Sequence, residues 1–86
     1  MARRLKTPAF VGDVVVWGDF RPETPVVERP EEGEAFVVQA ATFLCRWAGD
    51  VGRGVVMQIG DFDWTVESVS EDAGGAVMIR LERIGG

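Results

Sequence analysis

The chain reads as a mainly β protein, a small antiparallel β-barrel or sandwich with one long Pro/Glu-rich loop and room for one short helix. Three observations lead there. In residues 42–47, 55–70 and 76–84 apolar residues alternate with polar ones, and period two is the mark of a strand with one buried face. Gly49, Gly52, Gly54, Gly60, Gly74 and Gly75 punctuate these stretches, as hairpin turns needing positive φ demand. Finally, residues 19–34 hold three of the four prolines (Pro22, Pro25, Pro30) and six acidic residues, which suits an extended connection better than a helix or strand.

Taken in chain order, residues 1–13 are expected to form a basic N-terminal arm. Arg3, Arg4 and Lys6 lie in it, its residues 1–8 have no apolar face of their own, and Pro8 disfavours helix at Thr7. Residues 14–86 then form a single domain. Its first strand is predicted at Val14-Val15-Val16-Trp17, with Trp17 at the end. The extended loop 19–34 follows, interrupted by Val26-Val27, which could pair with a sheet edge. Residues 34–41 fit either state, because Phe36 and Ala40 stand four apart while Val37 and Val38 favour extended structure; the reading adopted is a helical turn. In the three alternating stretches Phe43, Cys45 and Trp47 share one face, as do Phe62, Trp64 and Val66, and Val77, Ile79 and Leu81. The predicted core is Phe43, Trp47, Phe62, Trp64, Val66, Ile79 and Leu81.

Composition narrows the class. A chain of 86 residues is one domain, and at that size folding buries only about 60–65% of the surface of the unfolded chain, so oligomerisation would help it. Hydrophobic content of 47% is too high for disorder, and no apolar run approaches the ~18 residues of a membrane span; a soluble protein with no membrane association is expected. The basic start lacks an apolar stretch after it, so no signal peptide is expected. The lone Cys45, on the apolar side of its strand, suits a reducing compartment and a core position. With Arg3, Arg4 and Lys6 set aside, six basic residues face fourteen acidic ones, a balance of −8 (9 − 3 = 6; 6 − 14 = −8). Such a body repels nucleic-acid phosphates and suits a surface that DNA slides past, though the same charge would also simply keep a small protein in solution.

Catalytic chemistry is hard to find. The chain has no histidine and no tyrosine, so Ser68 and Ser70 lack an imidazole to activate them. Asp61, Asp63 and Glu67 could surround a calcium ion, but Asp63 and Glu67 alternate with Phe62, Trp64 and Val66 and read as the wet face of a strand. Residues 50–54, Asp-Val-Gly-Arg-Gly, lack the spacing and following helix of a phosphate loop. No enzyme activity, cofactor or metal is expected. Trp17, Trp47 and Trp64 invite comparison with base-stacking platforms, yet each sits in an apolar-alternating segment and no basic groove accompanies them.

The order of short motifs carries a resemblance. Arg46-Trp47-Ala48-Gly49-Asp50-Val51-Gly52-Arg53-Gly54-Val55 is followed by Gly60-Asp61, by Trp64-Thr65-Val66-Glu67-Ser68-Val69, by Glu71-Asp72-Ala73-Gly74-Gly75 and by Leu81-Glu82. Over this stretch, about half of the chain, it resembles bacteriophage head-tail joining proteins, the head-completion or stopper subunits. No one motif is diagnostic; the succession is. The chain departs from the family's longer N-terminal hairpin, having only residues 1–13 before its first predicted strand, and residues 34–41 stand where the family has a short helix. The resemblance implies a virion structural protein made in the bacterial host cytoplasm. It would form a homo-oligomeric ring of six or twelve copies at the head-tail neck, with portal or adaptor on one side and a tail protein on the other, and DNA would pass its channel without specific binding. On that reading Arg3, Arg4, Lys6, Arg46 and Arg53 are subunit-interface residues, with Arg46 expected to form a planar, bidentate contact to a carboxylate of its own or the next subunit. Glu23, Glu28, Glu31, Glu32 and Glu34 are expected in a channel-facing loop. The alternative from a different class is a small SH3-like or OB-like β-barrel acting as a monomeric binding module for peptide or nucleic acid.

Overall fold

The computed structural model describes residues 7–46 and 51–85. Seven strands and no helix account for its regular structure: β1 (Thr7–Val11), β2 (Val14–Pro22), β3 (Val26–Glu28), β4 (Phe36–Cys45), β5 (Val56–Ile59), β6 (Phe62–Glu71) and β7 (Val77–Gly85). Every pairing is antiparallel, in the order β2-β1-β5-β6-β7-β4. A β2–β4 pairing closes the circle into a six-stranded barrel, and β3 lies as an extra strand on β4. The mainly β barrel expected from the alternation is the fold observed.

Two hairpins share one turn. Gly12-Asp13 joins β1 to β2 and Gly60-Asp61 joins β5 to β6, with φ of 60° and 63° at the glycines. Positive φ at the first central residue is the requirement of a type II′ hairpin, which glycine meets without strain. The stretch 55–70 is thereby folded back into two strands instead of one.

Closure depends on β2 serving two neighbours. Residues 14–18 pair with β1 and residues 18–22 pair with β4, so Gly18 appears in both registers, opposite Thr7 and opposite Cys45. A Cβ there would lie 2.5 Å from Phe43 Cε2 and Cζ and 2.6 Å from the Leu44 carbonyl oxygen. Glycine is thus required by close approach at the corner where the strand changes partners.

Side chains of one phase fill the interior: Ala9, Val16, Ala41, Phe43, Cys45, Met57, Ile59, Trp64, Val66, Val77, Ile79 and Leu81 are all buried. Phe20 packs edge-on against Trp64, ring centres 5.3 Å apart at 68°, a favoured aromatic geometry. Of the predicted core, Phe43, Trp64, Val66, Ile79 and Leu81 are buried, and Trp47 lies outside the described residues.

Phe62 corrects the prediction. It has the phase of Trp64, but it starts β6 beside the Gly60-Asp61 turn, where the barrel ends, and 51% of it is exposed. Three further expectations are revised. Residues 36–41 form the first half of β4 and not a helical turn: β-branched Val37 and Val38 favour extension, and pairing with β7 from Val37 to Cys45 supplies the hydrogen bonds a helix would have made internally. Residues 7–13 are not part of an arm, since Thr7–Val11 is β1 and closes the barrel between β2 and β5, and residues 1–6 lie outside the described residues; the hairpin of β1 with β2 supplies the first strand pair. Loop 19–34 shrinks likewise, because Asp19 to Pro22 belong to β2 and Val26–Glu28 to β3. The expected edge pairing of Val26-Val27 is formed, with Val38 and Val37.

Candidate functional site

One end of the barrel is closed by a charged side chain. Arg83 follows Ile79 and Leu81 at spacing two, so β7 carries it inward on the apolar phase, opposite Gln39 of β4. At this depth the core has run out and the strand meets the barrel mouth. The Arg83 guanidinium carbon stands 3.9 Å from the centre of the Phe62 ring and 5.4 Å from that of Trp64, within cation–π range of both. That contact covers one face of a phenylalanine which would otherwise be open to water.

Hydrogen bonding at this mouth is incomplete. Arg83 Nε and Trp64 Nε1 are buried and have no hydrogen-bond partner among the described residues, and Trp64 as a whole is only 3% exposed. No carboxylate among the described residues pairs with Arg83. Gln39, its register neighbour, is engaged elsewhere: its side-chain amide donates to the carbonyls of Glu23 and Ala40. Both N–H donors are closed to solvent, so the guanidinium is held here by the aromatic rings beneath it and not by a counter-ion among the described residues. Sequence reasoning missed Arg83. Its signal was legible, since it is the charged member of the alternating set 77, 79, 81, 83.

The outer wall beside this mouth is acidic. A β-bulge between Val66 and Ser68 leaves Glu67 without a register partner and sets it next to Glu82. Burial, the charge of Glu67, a hydrogen bond with Glu67 and the more distant Glu28 hold the Glu82 carboxyl above the usual carboxylate range, against the pull of Arg80. The folded state therefore holds this proton more tightly than the unfolded chain. The contribution to stability is complete below the ordinary glutamate value and is lost as pH rises through the elevated one. Glu82→Gln is expected to flatten the fall in stability just above the ordinary carboxylate range, measured by urea unfolding across pH; an unchanged slope would contradict the pairing. An open depression of about 380 Å³, lined by Asp63, Thr65, Glu67, Glu82, Arg83 and Ile84, lies here.

The predicted site residues do not form one cluster. Glu23 is tied to its own barrel: its amide donates to the Ala40 carbonyl at 2.9 Å, and Arg80 Nη1 and Nη2 reach its two carboxylate oxygens at 2.9 and 3.4 Å. Both side chains are well exposed, so a double-mutant cycle on Arg80 and Glu23 is expected to give a coupling of about 0.2–1 kcal/mol that weakens with salt. Glu28 sits on β3, whereas Glu31, Glu32 and Glu34 ride the connection from β3 to β4 and are exposed. None of those three carboxylates has a partner among the described residues.

Arg46 is exposed at the end of β4. It lines a depression of about 240 Å³ with Leu44, Cys45, Asp72, Gly74 and Ala76. The nearby Asp72 carboxylate is already used, accepting from the Gly74 and Ala76 amides at 2.8 and 3.0 Å to fasten the β6–β7 turn. A bidentate contact of Arg46 within its own subunit is therefore absent among the described residues. Arg53 is exposed on the turn before β5, and Arg3, Arg4 and Lys6 lie outside the described residues. Asp63 and Glu67 stand on the barrel's outer side, and among the described residues no group of acidic or cysteine side chains comes together to hold a metal. Among the described residues no helix is long and apolar enough to cross a membrane.

Apolar side chains also remain outside. Across β1–β2, Phe10 faces Val15 and Pro8 faces Trp17, and Phe10, Val15 and Trp17 are exposed, Trp17 by 55%. A second row crosses β3, β4 and β7, where Val26 pairs with Val38 and Val38 with Ile84; Ile84 is 67% exposed. The two rows occupy different strands and different parts of the wall. The chain matches no protein-family model, and no curated protein matches it.

Proposed function

We propose that the chain is the ring-forming subunit of a phage head-tail connector, joining the portal or its adaptor to the tail around a tunnel for DNA. The observation that carries this reading is the pair of separate apolar rows on a barrel whose core is already full. A single self-complementary patch would serve a two-fold dimer, whereas two unlike patches on one subunit suit a head-to-tail contact that repeats until a ring closes. The motif order supports the same reading: Trp64-Thr65-Val66-Glu67-Ser68-Val69 runs along β6, Leu81-Glu82 lies on β7, and Gly60-Asp61 makes the hairpin turn between β5 and β6.

Within such a ring the β3–β4 connection is the part free to reach outward. Glu23 and Glu28 are held on strands or by Arg80, and Glu31, Glu32 and Glu34 extend past the paired region, towards a neighbouring copy or the tunnel. Their charge, multiplied around a ring, gives a wall to which DNA phosphates do not adhere. Arg46 and Arg53 are left to contact the next subunit. Sedimentation velocity on the purified chain, alone and with its portal complex, tests the reading. Trp17→Ser and Ile84→Ser, each outside the core, are expected to abolish assembly while the barrel stays folded. A chain that remains monomeric with its portal complex and instead binds a peptide or an oligonucleotide would favour the binding-module alternative.

A further inference from the structure

We infer that β2 carries a strand-accepting edge at the barrel mouth, and that its occupant is the chain's own Leu5-Lys6, which binds along it as a strap and lays Leu5 beside Phe20 and Phe62. The register of β2 carries this, independently of any contact between copies. The Glu23 amide donates to the Ala40 carbonyl, which makes these two residues a hydrogen-bonded pair. Main-chain groups alternate sides along a strand, so Asp19 and Arg21 also turn theirs to β4. Phe20, between them, turns its N–H and C=O to the other side. There β1 as described begins at Thr7, opposite Gly18, and no other strand among the described residues flanks β2 on that side. Phe20 is partly buried against the core, where main-chain groups are nearly always hydrogen-bonded.

The occupant follows from where the described chain begins. Continuing the antiparallel register of Thr7 with Gly18 by one and two residues sets Lys6 opposite Asp19 and Leu5 opposite Phe20. Leu5 then shares the phase of Thr7 and of buried Ala9, which directs it over a mouth where Phe62 is half in water and Phe20 stands edge-on to Trp64. Pairing of Ala9 with Ile59, the residue before the Gly60-Asp61 turn, puts the start of β1 at this same end. Lys6 takes the outward phase of Pro8, with its ammonium beside the Asp19 carboxylate. That carboxylate accepts from Arg21 Nε at 2.9 Å and has lone pairs for a further donor. Opposite charges facing each other across a strand pair stabilise it, and like charges do the reverse. The next rung brings Arg4 opposite Arg21, and the one after it brings Arg3 opposite Pro22, which has no N–H to give. The strap is therefore two residues long. Lys6, expected at a subunit interface, is held by its own barrel.

Nuclear magnetic resonance on an equal mixture of isotope-labelled and unlabelled full chain tests this. Contacts of the Leu5 methyl groups with the Phe20 and Phe62 rings are expected within labelled chains. The Phe20 amide is expected to exchange about tenfold faster or more in Leu5→Pro, which deletes the N–H of that rung, and faster by a smaller factor in Lys6→Glu, which sets a carboxylate against Asp19. The Val16 amide, on the rung with Ala9, should keep its rate in both and shows that the barrel stays folded. A Phe20 amide indifferent to both substitutions, or Leu5 methyl groups without contact to Phe20, overturns the proposal. Leu5 contacts seen only between labelled and unlabelled chains overturn it as well, because a second copy would then fill the edge.

Discussion

Replacing Trp64 by Ala is expected to lower stability by about 3–5 kcal/mol, the range for truncating an aromatic side chain in a packed core. Trp64 is 3% exposed and sits among the interior residues of the barrel, with Phe20 edge-on against it. The indole is also part of the floor for the Arg83 guanidinium, so its loss opens a cavity and strips a half-buried charge of one aromatic face. For a domain of this size each kcal/mol is worth about 4–8 °C in Tm. A fall of about 12 °C or more is therefore expected in a thermal melt. Retention of the wild-type Tm would show that the interior is not organised around Trp64.

Gly18→Ala is expected to be as damaging, although it adds a single methyl group. The added Cβ would meet the Phe43 ring at 2.5 Å and the Leu44 carbonyl oxygen at 2.6 Å. Phe43 cannot withdraw, because it is completely buried, and the Leu44 oxygen belongs to the β4 backbone that pairs with β2 and β7. Overpacking of a core typically costs about 1–3 kcal/mol and occasionally more; with backbone on one side of the clash, the cost is expected at or above the top of that range. The β2–β4 pairing yields first, so amide exchange of residues 18–22 and 41–45 is expected to accelerate before the rest of the barrel unfolds. Gly12→Ala is the control: its Cβ would meet nothing within 4 Å, and its only penalty is the positive φ.

Legibility in the sequence followed the strength of the alternation. In β7 and the first half of β6 large apolar residues occupy every second position, and the alternation places Trp64, Val66, Val77, Ile79 and Leu81 in the interior, where they lie. In β1 the inward residue is Ala9, too small to stand out, and Pro8 argued against regular structure even though it occupies a strand opposite Trp17. The first half of β4 carries Gln39, Ala40 and Ala41, which are helix formers by intrinsic preference; nine rungs of pairing with β7 override that preference. Phe62 shows a second limit. Period two tells which side of a strand a residue faces, but not where the barrel ends, and one turn from the hairpin the inward side is already open to water. The same limit hid Arg83, whose phase marked it as inward while its charge suggested surface. The outer apolar rows depend on which strands become neighbours, and a topology that places β1 between β2 and β5 has no local signature.

The central claim is that this chain works as one subunit of a ring around a DNA tunnel, and the most direct measurement is a cryo-electron microscopy reconstruction of particles purified through a tag on this chain from the cells that produce it. The account predicts closed rings of the barrel at the junction between head and tail. Neighbouring copies should meet through the Trp17 and Ile84 rows. Recovery of the chain as a free monomer, absent from any head-tail junction, would contradict it.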